Sequence, residues 1–392
     1  MGDVKAPVEG TTAQKPVRKY QVKEIMPDYF FTEPVYLDKQ FILAAPEMKF
    51  SMEMKTALEE WKFNEVYSAG SPTVDYIAPG AESASVLDVT GSDDPDRLRQ
   101  AKEFYIGFLK YVGALFTQVE QTNRLDYNSI VEKMKFACDI ISEERRFILR
   151  IENNQLPDPN DNYMASHAAK STIISIIIGL QLKLPDHKLI ELGVSAMLHE
   201  VGMIKLPEKI YLSNRQLEPD ERKAIFAHPI LGFNLLKSSD FPISVTVPIL
   251  EHHERENGAG YPRKLTSEKI SLNAKIIAVA CSYEALSSQR PHKEAKDGFT
   301  GMMELLKNTG NQYDDTVVRA LVFSLSLYPI GLYVLLSNGR KGQVVDVNPE
   351  NPRFPVVQIF GESAGGGNNK TVVTSQDGIF IIRPLSKEET KD

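Results

Sequence analysis

His167, the pair His199-Glu200, His228-Pro229 and the doublet His252-His253 follow one another along one stretch of this chain, and Gly260-Tyr261-Pro262 comes shortly after. Side chains so far apart in sequence can act together only in a fold that gathers several helix ends at one point. That requirement constrains the chain more than any other feature. Imidazole nitrogens and carboxylate oxygens suit Fe, Mn or Zn, and two metals a few ångströms apart can share such a set. The doublet suggests one imidazole for each of two metals, with Glu200 bridging between them. Adjacent helical residues point about 100° apart, so His199 and Glu200 serve one centre only if helices on both sides complete it. The other two of the seven histidines, His187 and His292, stand outside the pattern and read as surface residues.

Composition narrows the partners. A net charge of −7 and a pI near 5.7 give no broad basic footprint, so a nucleic-acid polymer is not expected. A small anionic substrate would need local cations or metal ions. Cys138 and Cys281 are the two cysteines, which excludes a disulfide scaffold and fits a reducing compartment. Met1 to Lys19 is polar and lacks the apolar core of a signal peptide. The longest uncharged apolar stretch, Ala320 to Leu336, contains Pro329 and Gly331 and reads as a buried helix running into a strand. No membrane span is therefore expected, and the expected location is cytoplasmic.

The periodicity predicts a mainly α protein with a small N-terminal α/β unit and a small β-rich C-terminal extension. Residues 1–20 read as a disordered tail and 21–75 as a compact α/β domain, with a Pro/Gly/Ser/Asp linker over 76–93. Two long amphipathic helices fill 94–155, from about Asp94 to Asn123 and from about Asn128 to Asn153. The second carries Ile130, Met134, Ala137, Ile141 and Phe147 on one face. A helical domain covers 156–328, in which Gly202 is expected to end the helix that carries His199. Short strands separated by Gly, Asn and Pro turns fill 329–392.

At these residues the chain resembles the HD-GYP family, metal-dependent phosphodiesterases of the HD superfamily that hydrolyse cyclic di-GMP. The resemblance covers about residues 150–325. His167 matches the first motif histidine, and His199-Glu200 stands at the family's His-Asp. His228 to Gly232 matches the third motif, and His252 to Pro262 the signature loop, with Asn257 where Asp is usual. Ala278 to Leu286 and Arg290-Pro291 match the next segment. The resemblance implies an HD-type all-helical bundle core holding two divalent transition-metal ions, Fe or Mn first and Zn next. The implied metal ligands are His167, His199, Glu200, His228, His252, His253 and Cys281, with His199 and Glu200 catalytic. The implied substrate contacts are Arg290, Lys205, Arg255, Gly260, Tyr261 and Pro262. Cyclic di-GMP is the expected ligand, and a signalling protein at the Gly260–Pro262 loop and a second copy of the chain are the expected partners.

Three departures fall within that set. Glu200 replaces the bridging Asp and lengthens the reach by about one C–C bond, ~1.5 Å. Cys281 replaces the last Asp ligand with a softer donor. Met203 stands where a phosphate-facing lysine is usual. Tyr163 stands four residues before His167, where some members carry a third-metal carboxylate, which favours two metals over three. Two readings follow. One is a phosphodiesterase hydrolysing cyclic di-GMP to linear dinucleotide or GMP. The other is a degenerate receptor that binds the nucleotide without turnover.

Overall fold

The computed structural model describes residues 17–73, 94–151, 162–288 and 298–389, less a few short stretches within them. The chain divides into two compact units, Met1–Val89 and Thr90–Asp392. In the first, β1 (Arg18–Gln21), β3 (Val35–Tyr36), β4 (Ile42–Ala44) and β5 (Glu65–Ser68) form an antiparallel sheet in the order β1-β5-β3-β4. A second pair joins β2 (Phe30–Phe31) to β6 (Pro72–Thr73), and α1 (Met52–Glu60) supplies Leu58 to a core with Phe31, Phe50 and Val66. The expected tail over 1–20 is corrected at its end. Lys19 and Tyr20 pair with Tyr67 and Val66, and the Tyr20 ring packs edge-on against Phe31 at 5.2 Å. Residues 1–16 and the expected linker lie outside the described residues.

The second unit opens with α2 (Pro95–Thr122) and α3 (Tyr127–Leu149). Each has an aspartate cap. Asp94 accepts from the Asp96 and Arg97 amides, and Asp126 from those of Asn128 and Ser129, satisfying donors a helix start leaves open. Asn123 turns the chain between the helices in the left-handed conformation that Asn tolerates better than most residues. Their apolar faces do not form a separate core. Tyr105, Val112, Phe116, Met134 and Ile141 belong to one continuous core with the helices that follow.

At the centre lies α4 (Tyr163–Gln181), flanked by α2, α3, α5 (Asp186–Leu198), α10 (Leu272–Ser287) and α12 (Asp315–Leu325). Its length and apolar character match those of a membrane span, but 78% of its most apolar window is buried inside the protein. Around it stand a 3-10 turn at Val201–Lys205, α6 (Glu208–Tyr211), α7 (Pro219–Ile225), α8 (His228–Lys237), α9 (Ile243–Glu251) and α11 (Gly298–Lys307). The expected C-terminal strands form one antiparallel sheet, β10-β9-β8-β7-β11, from β7 (Tyr333–Leu336), β8 (Lys341–Asp346), β9 (Val356–Ala364), β10 (Asn368–Val373) and β11 (Ile381–Pro384). Arg146 of α3 pairs with the buried Asp346 of β8, tying the sheet to the helices.

Because α2 and α3 complete the core, a chain beginning near residue 90 should unfold in a single cooperative transition. A chain beginning near residue 155 should be largely unfolded or aggregated. It uncovers a face against which several large apolar side chains pack, each worth about 1.5–3 kcal/mol on burial. Thermal melts of the two chains check this, and a cooperative melt of the shorter one near the longer one's midpoint would contradict it.

Candidate metal centre

Helix ends deliver the candidate ligands. His167 sits in the first turns of α4, and His199 caps the C-terminus of α5 with Glu200 next to it. His228 opens α8, and His252 caps the C-terminus of α9 with His253 beside it. Three of the rings are fastened in one way. Nδ1 of His199 lies 2.7 Å from the Ala196 carbonyl, Nδ1 of His228 2.7 Å from that of Ile225, and Nδ1 of His252 2.7 Å from that of Ile249. A carbonyl only accepts, so each Nδ1 carries a proton, and in the neutral tautomer this leaves Nε2 as the lone pair turned inward. His167 obeys the same rule through a carboxylate, its Nδ1 held in a short bond by Glu284 of α10. Sequence reasoning missed Glu284. Its signal was a carboxylate within the apolar helix AVACSYEAL.

The lone pairs confront one another. Nε2 of His228 and His252 are 3.2 Å apart, and those of His199 and His167 are 3.3 Å apart. The Glu200 carboxylate lies among them, Oε2 3.4 Å from His228 Nε2 and Oε1 3.7 Å from His167 Nε2, and buried Oε2 has no hydrogen-bond partner among the described residues. Paired bare nitrogens and an unpartnered carboxylate oxygen are a donor set suited to a divalent cation. Electrostatics keep the donors available. Burial pushes His199 down to about 4, against the pull of Glu200, and holds His252 and His253 well below the usual imidazole range. Burial alone would raise the Glu200 carboxyl, and attraction to the surrounding imidazoles in their protonated forms, His228 first, lowers it.

Two donor groups result, and they correct one expectation. Glu200, His228, His252 and His253 converge in one group, and His167, His199 and Glu200 in the other. The doublet therefore does not divide between the groups, whereas Glu200 belongs to both. His199 and Glu200 reach one centre because α5 stops at Leu198 and the backbone tightens into the 3-10 turn. Gly202 does not terminate α5 as expected. It lies inside that turn, where a Cβ would stand 2.0 Å from the His228 carbonyl oxygen, so glycine there lets the turn pack on the start of α8.

The groups open into a pocket of about 440 Å³, also lined by Tyr163, Met203, Arg215, Arg222, Tyr261 and Cys281. Cys281 lines the wall, its Sγ 3.5 Å from the Ala278 carbonyl, and belongs to neither donor group. Tyr261 stacks on His253, with centroids 4.6 Å apart. Gly260 is buried where a Cβ would meet the His253 carbonyl at 2.5 Å, so it and Pro262 shape the loop without lining the pocket. Buried Glu254 pins that loop by accepting from the Arg263 and Leu265 amides at 2.7 and 2.8 Å.

Two expected substrate contacts stand elsewhere. Arg255 donates to the His252 and Glu254 carbonyls and lies over the Tyr313 ring, and Lys205 reaches Asn123. Neither is among the described residues lining the pocket. Arg290 lies outside the described residues. The pocket's two arginines, Arg215 and Arg222, were not anticipated, because their segment carries no motif.

Comparison with known proteins bears on this centre. The HD domain model matches residues 154–317. The chain is 28% identical over 206 residues to the cyclic di-GMP phosphodiesterase PdeB of Borreliella burgdorferi, covering 53% of this chain and 54% of that protein. It is 29% identical over 317 residues to a cyclic di-GMP phosphodiesterase of Pseudomonas aeruginosa, covering 77% and 75%. It thus spans about half the length of the first relative and three quarters of the second. Among solved structures, Bd1817 of Bdellovibrio bacteriovorus, described as an HDG"Y"P protein, is similar over 78% of this chain and 98% of that one, with a TM-score of 0.48 and 16% identity. The mainly helical core and the His/Glu clusters lie in the segment that matches the HD domain model, residues 154–317, and the chain is similar in sequence to proteins named cyclic di-GMP phosphodiesterases.

Proposed function

We propose that this chain is a metal-dependent phosphodiesterase that hydrolyses cyclic di-GMP. The observation that carries the reading is the half-buried Glu200 carboxylate, whose buried Oε2 has no hydrogen-bond partner among the described residues and which lies among imidazole nitrogens in the pocket lining. Divalent ions, iron or manganese first, would be held by His167, His199, Glu200, His228, His252 and His253, and would supply Lewis acidity toward water and the phosphoryl oxygens. Glu200, common to both donor groups, would balance the cationic charge of ions held there. The main-chain carbonyls and Glu284 orient the rings, so the donors need little rearrangement. Tyr261 covers one face of His253 and limits access of water from that side.

A second reading, a receptor that binds the nucleotide without turnover, draws support from Cys281, which stands apart from both donor groups, and from apolar Met203 in the lining. The reading also assigns the nucleotide, from the names of the relatives, as cyclic di-GMP.

Purified protein should carry divalent transition metal, and His199→Ala or His253→Ala should lower metal content and the thermal midpoint together, since a ligand bound only by the folded state stabilises it. Elemental analysis and melts with added Mn²⁺, Fe²⁺ or Zn²⁺ check this. A native chain with under about 0.2 metal per protein and no thermal shift on metal addition contradicts it.

Native protein with Mn²⁺ or Fe²⁺ should release linear dinucleotide or GMP from cyclic di-GMP, and Glu200→Ala should abolish release. Glu200→Asp, Cys281→Asp and Met203→Lys should each raise the rate by about 5- to 150-fold, the worth of about 1–3 kcal/mol. Sharing one site, they should combine non-additively. Product chromatography decides between the readings. A native chain that binds without turnover, beside an active triple variant, favours the receptor. Failure of both to bind or hydrolyse removes both readings.

A further inference from the structure

Met203 occupies the pocket wall where the family resemblance implies a lysine, so phosphate charge must be met from another part of the lining. Among the described lining residues the permanently cationic side chains are Arg215 and Arg222. Both come from the segment between the 3-10 turn and α8. Arg215 forms a fork with both carboxylate oxygens of Glu221 at 2.7 and 2.8 Å. Glu221 also accepts from the Glu218 amide at 2.9 Å, closing the capping box that starts α7. This fork braces the approach to the helix, and Arg222 is the next residue along it.

The far end of α7 is registered to the centre by rings. Phe226, its C-terminal cap, stacks on Tyr261 at 4.4 Å and 30°, and Tyr261 stacks on His253 at 4.6 Å and 20°. Residues four apart on a helix share a face, so Arg222 and Phe226 stand on one side of α7. That side is fixed over a candidate ligand by two stacked contacts. The guanidinium is therefore carried on a braced element that lines the pocket. Its planar fork suits two phosphoryl oxygens.

We propose that Arg222 is a phosphate-binding residue of this pocket, taking a phosphodiester of the cyclic dinucleotide in place of the cation absent at Met203. The assignment rests on the function proposed above and adds the residue that holds the anion. It also implies that the ligand's salt-dependent attraction originates from α7 and not from the 3-10 turn.

The test uses metal-loaded full-length protein and the hydrolysis-resistant bis-phosphorothioate analogue of cyclic di-GMP, titrated by calorimetry at two salt concentrations. Arg222→Gln should weaken binding by about tenfold or more, the scale of a charge-assisted hydrogen bond. Its affinity should also depend less on salt, while metal content and thermal midpoint stay at native values. Arg222→Lys should recover part of the loss by restoring a point charge without the fork. If the native chain binds the analogue and Arg222→Gln binds it equally well with the same salt dependence, Arg222 is not the phosphate contact, and the proposed function stands without it. A loss of affinity accompanied by loss of metal also overturns the assignment, since Arg222 would then act through the centre's structure. A native, metal-replete chain that does not bind the analogue overturns the dinucleotide reading itself, and this assignment with it.

Discussion

The centre depends on one repeated hydrogen bond, from a histidine Nδ1 at a helix end to the carbonyl three residues earlier. His199, His252 and His228 each make it, the first two at the C-terminal caps of α5 and α9 and the third at the first residue of α8, reaching back to the end of α7. The bond satisfies a carbonyl that the end of a helix leaves unpaired. It also fixes the tautomer, so that Nε2 is a lone pair pointing away from the helix that carries it. Local backbone chemistry and ligand orientation are therefore one constraint. The convergent lone pairs are unfavourable toward one another in a buried place, and helix packing holds them there. That packing includes α2 and α3, which bear no candidate ligand but bury the other side of α4 and α5, which position His167 and His199.

Glu200 adds a second demand. An α-helix continued past His199 would turn the two side chains about 100° apart. The backbone instead leaves the helix at Leu198, and its 3-10 turn closes against the first turn of α8. Gly202 makes that approach sterically allowed, with the His228 carbonyl and the Gly232 amide filling the space a side chain would take. One glycine thereby links the shared carboxylate to the histidine on the opposing helix.

Much of this architecture was legible in the sequence, because it rests on local rules. Asp94, Asn123 and the apolar stripe through Ile130 and Met134 define α2 and α3 within a few residues, and alternation with turn residues defines the terminal sheet. The clustering of five histidines with Glu200 was legible through the order of the motifs. What was not legible depends on three-dimensional closure. No local pattern shows whether adjacent His252 and His253 face one donor group or two, and the turn after α9 sends both to the same group. Arg255 and Lys205 were expected at the substrate because they lie near the motifs in sequence. A loop folded back on itself directs Arg255 to main-chain carbonyls, and Lys205, at the end of the 3-10 turn, meets Asn123. Conversely, Arg222 comes from a short helix without a motif and reaches the pocket through the tertiary placement of α7.

The two donor groups are unequal, and the departures from the family pattern do not affect them alike. One group has four donors, including three histidines from α8 and the end of α9. The other has three, and it shares Glu200 with the first. Cys281 lies three residues before Glu284 on α10, on the same helical face, and Glu284 is the residue that holds His167. On the reading that Cys281 stands where the resembled family has a carboxylate ligand, the thiol shares a helical face with the residue that orients the smaller group, although it belongs to neither group itself. A divalent cation loses more from removal of one ligand among few than among many, and a thiol is the softer replacement. The larger group, its rings locked by main-chain hydrogen bonds and by Tyr261, carries none of these departures except the longer reach of Glu200. The enzyme and receptor readings therefore turn on the wall that carries Cys281 and Met203 more than on the four-donor group.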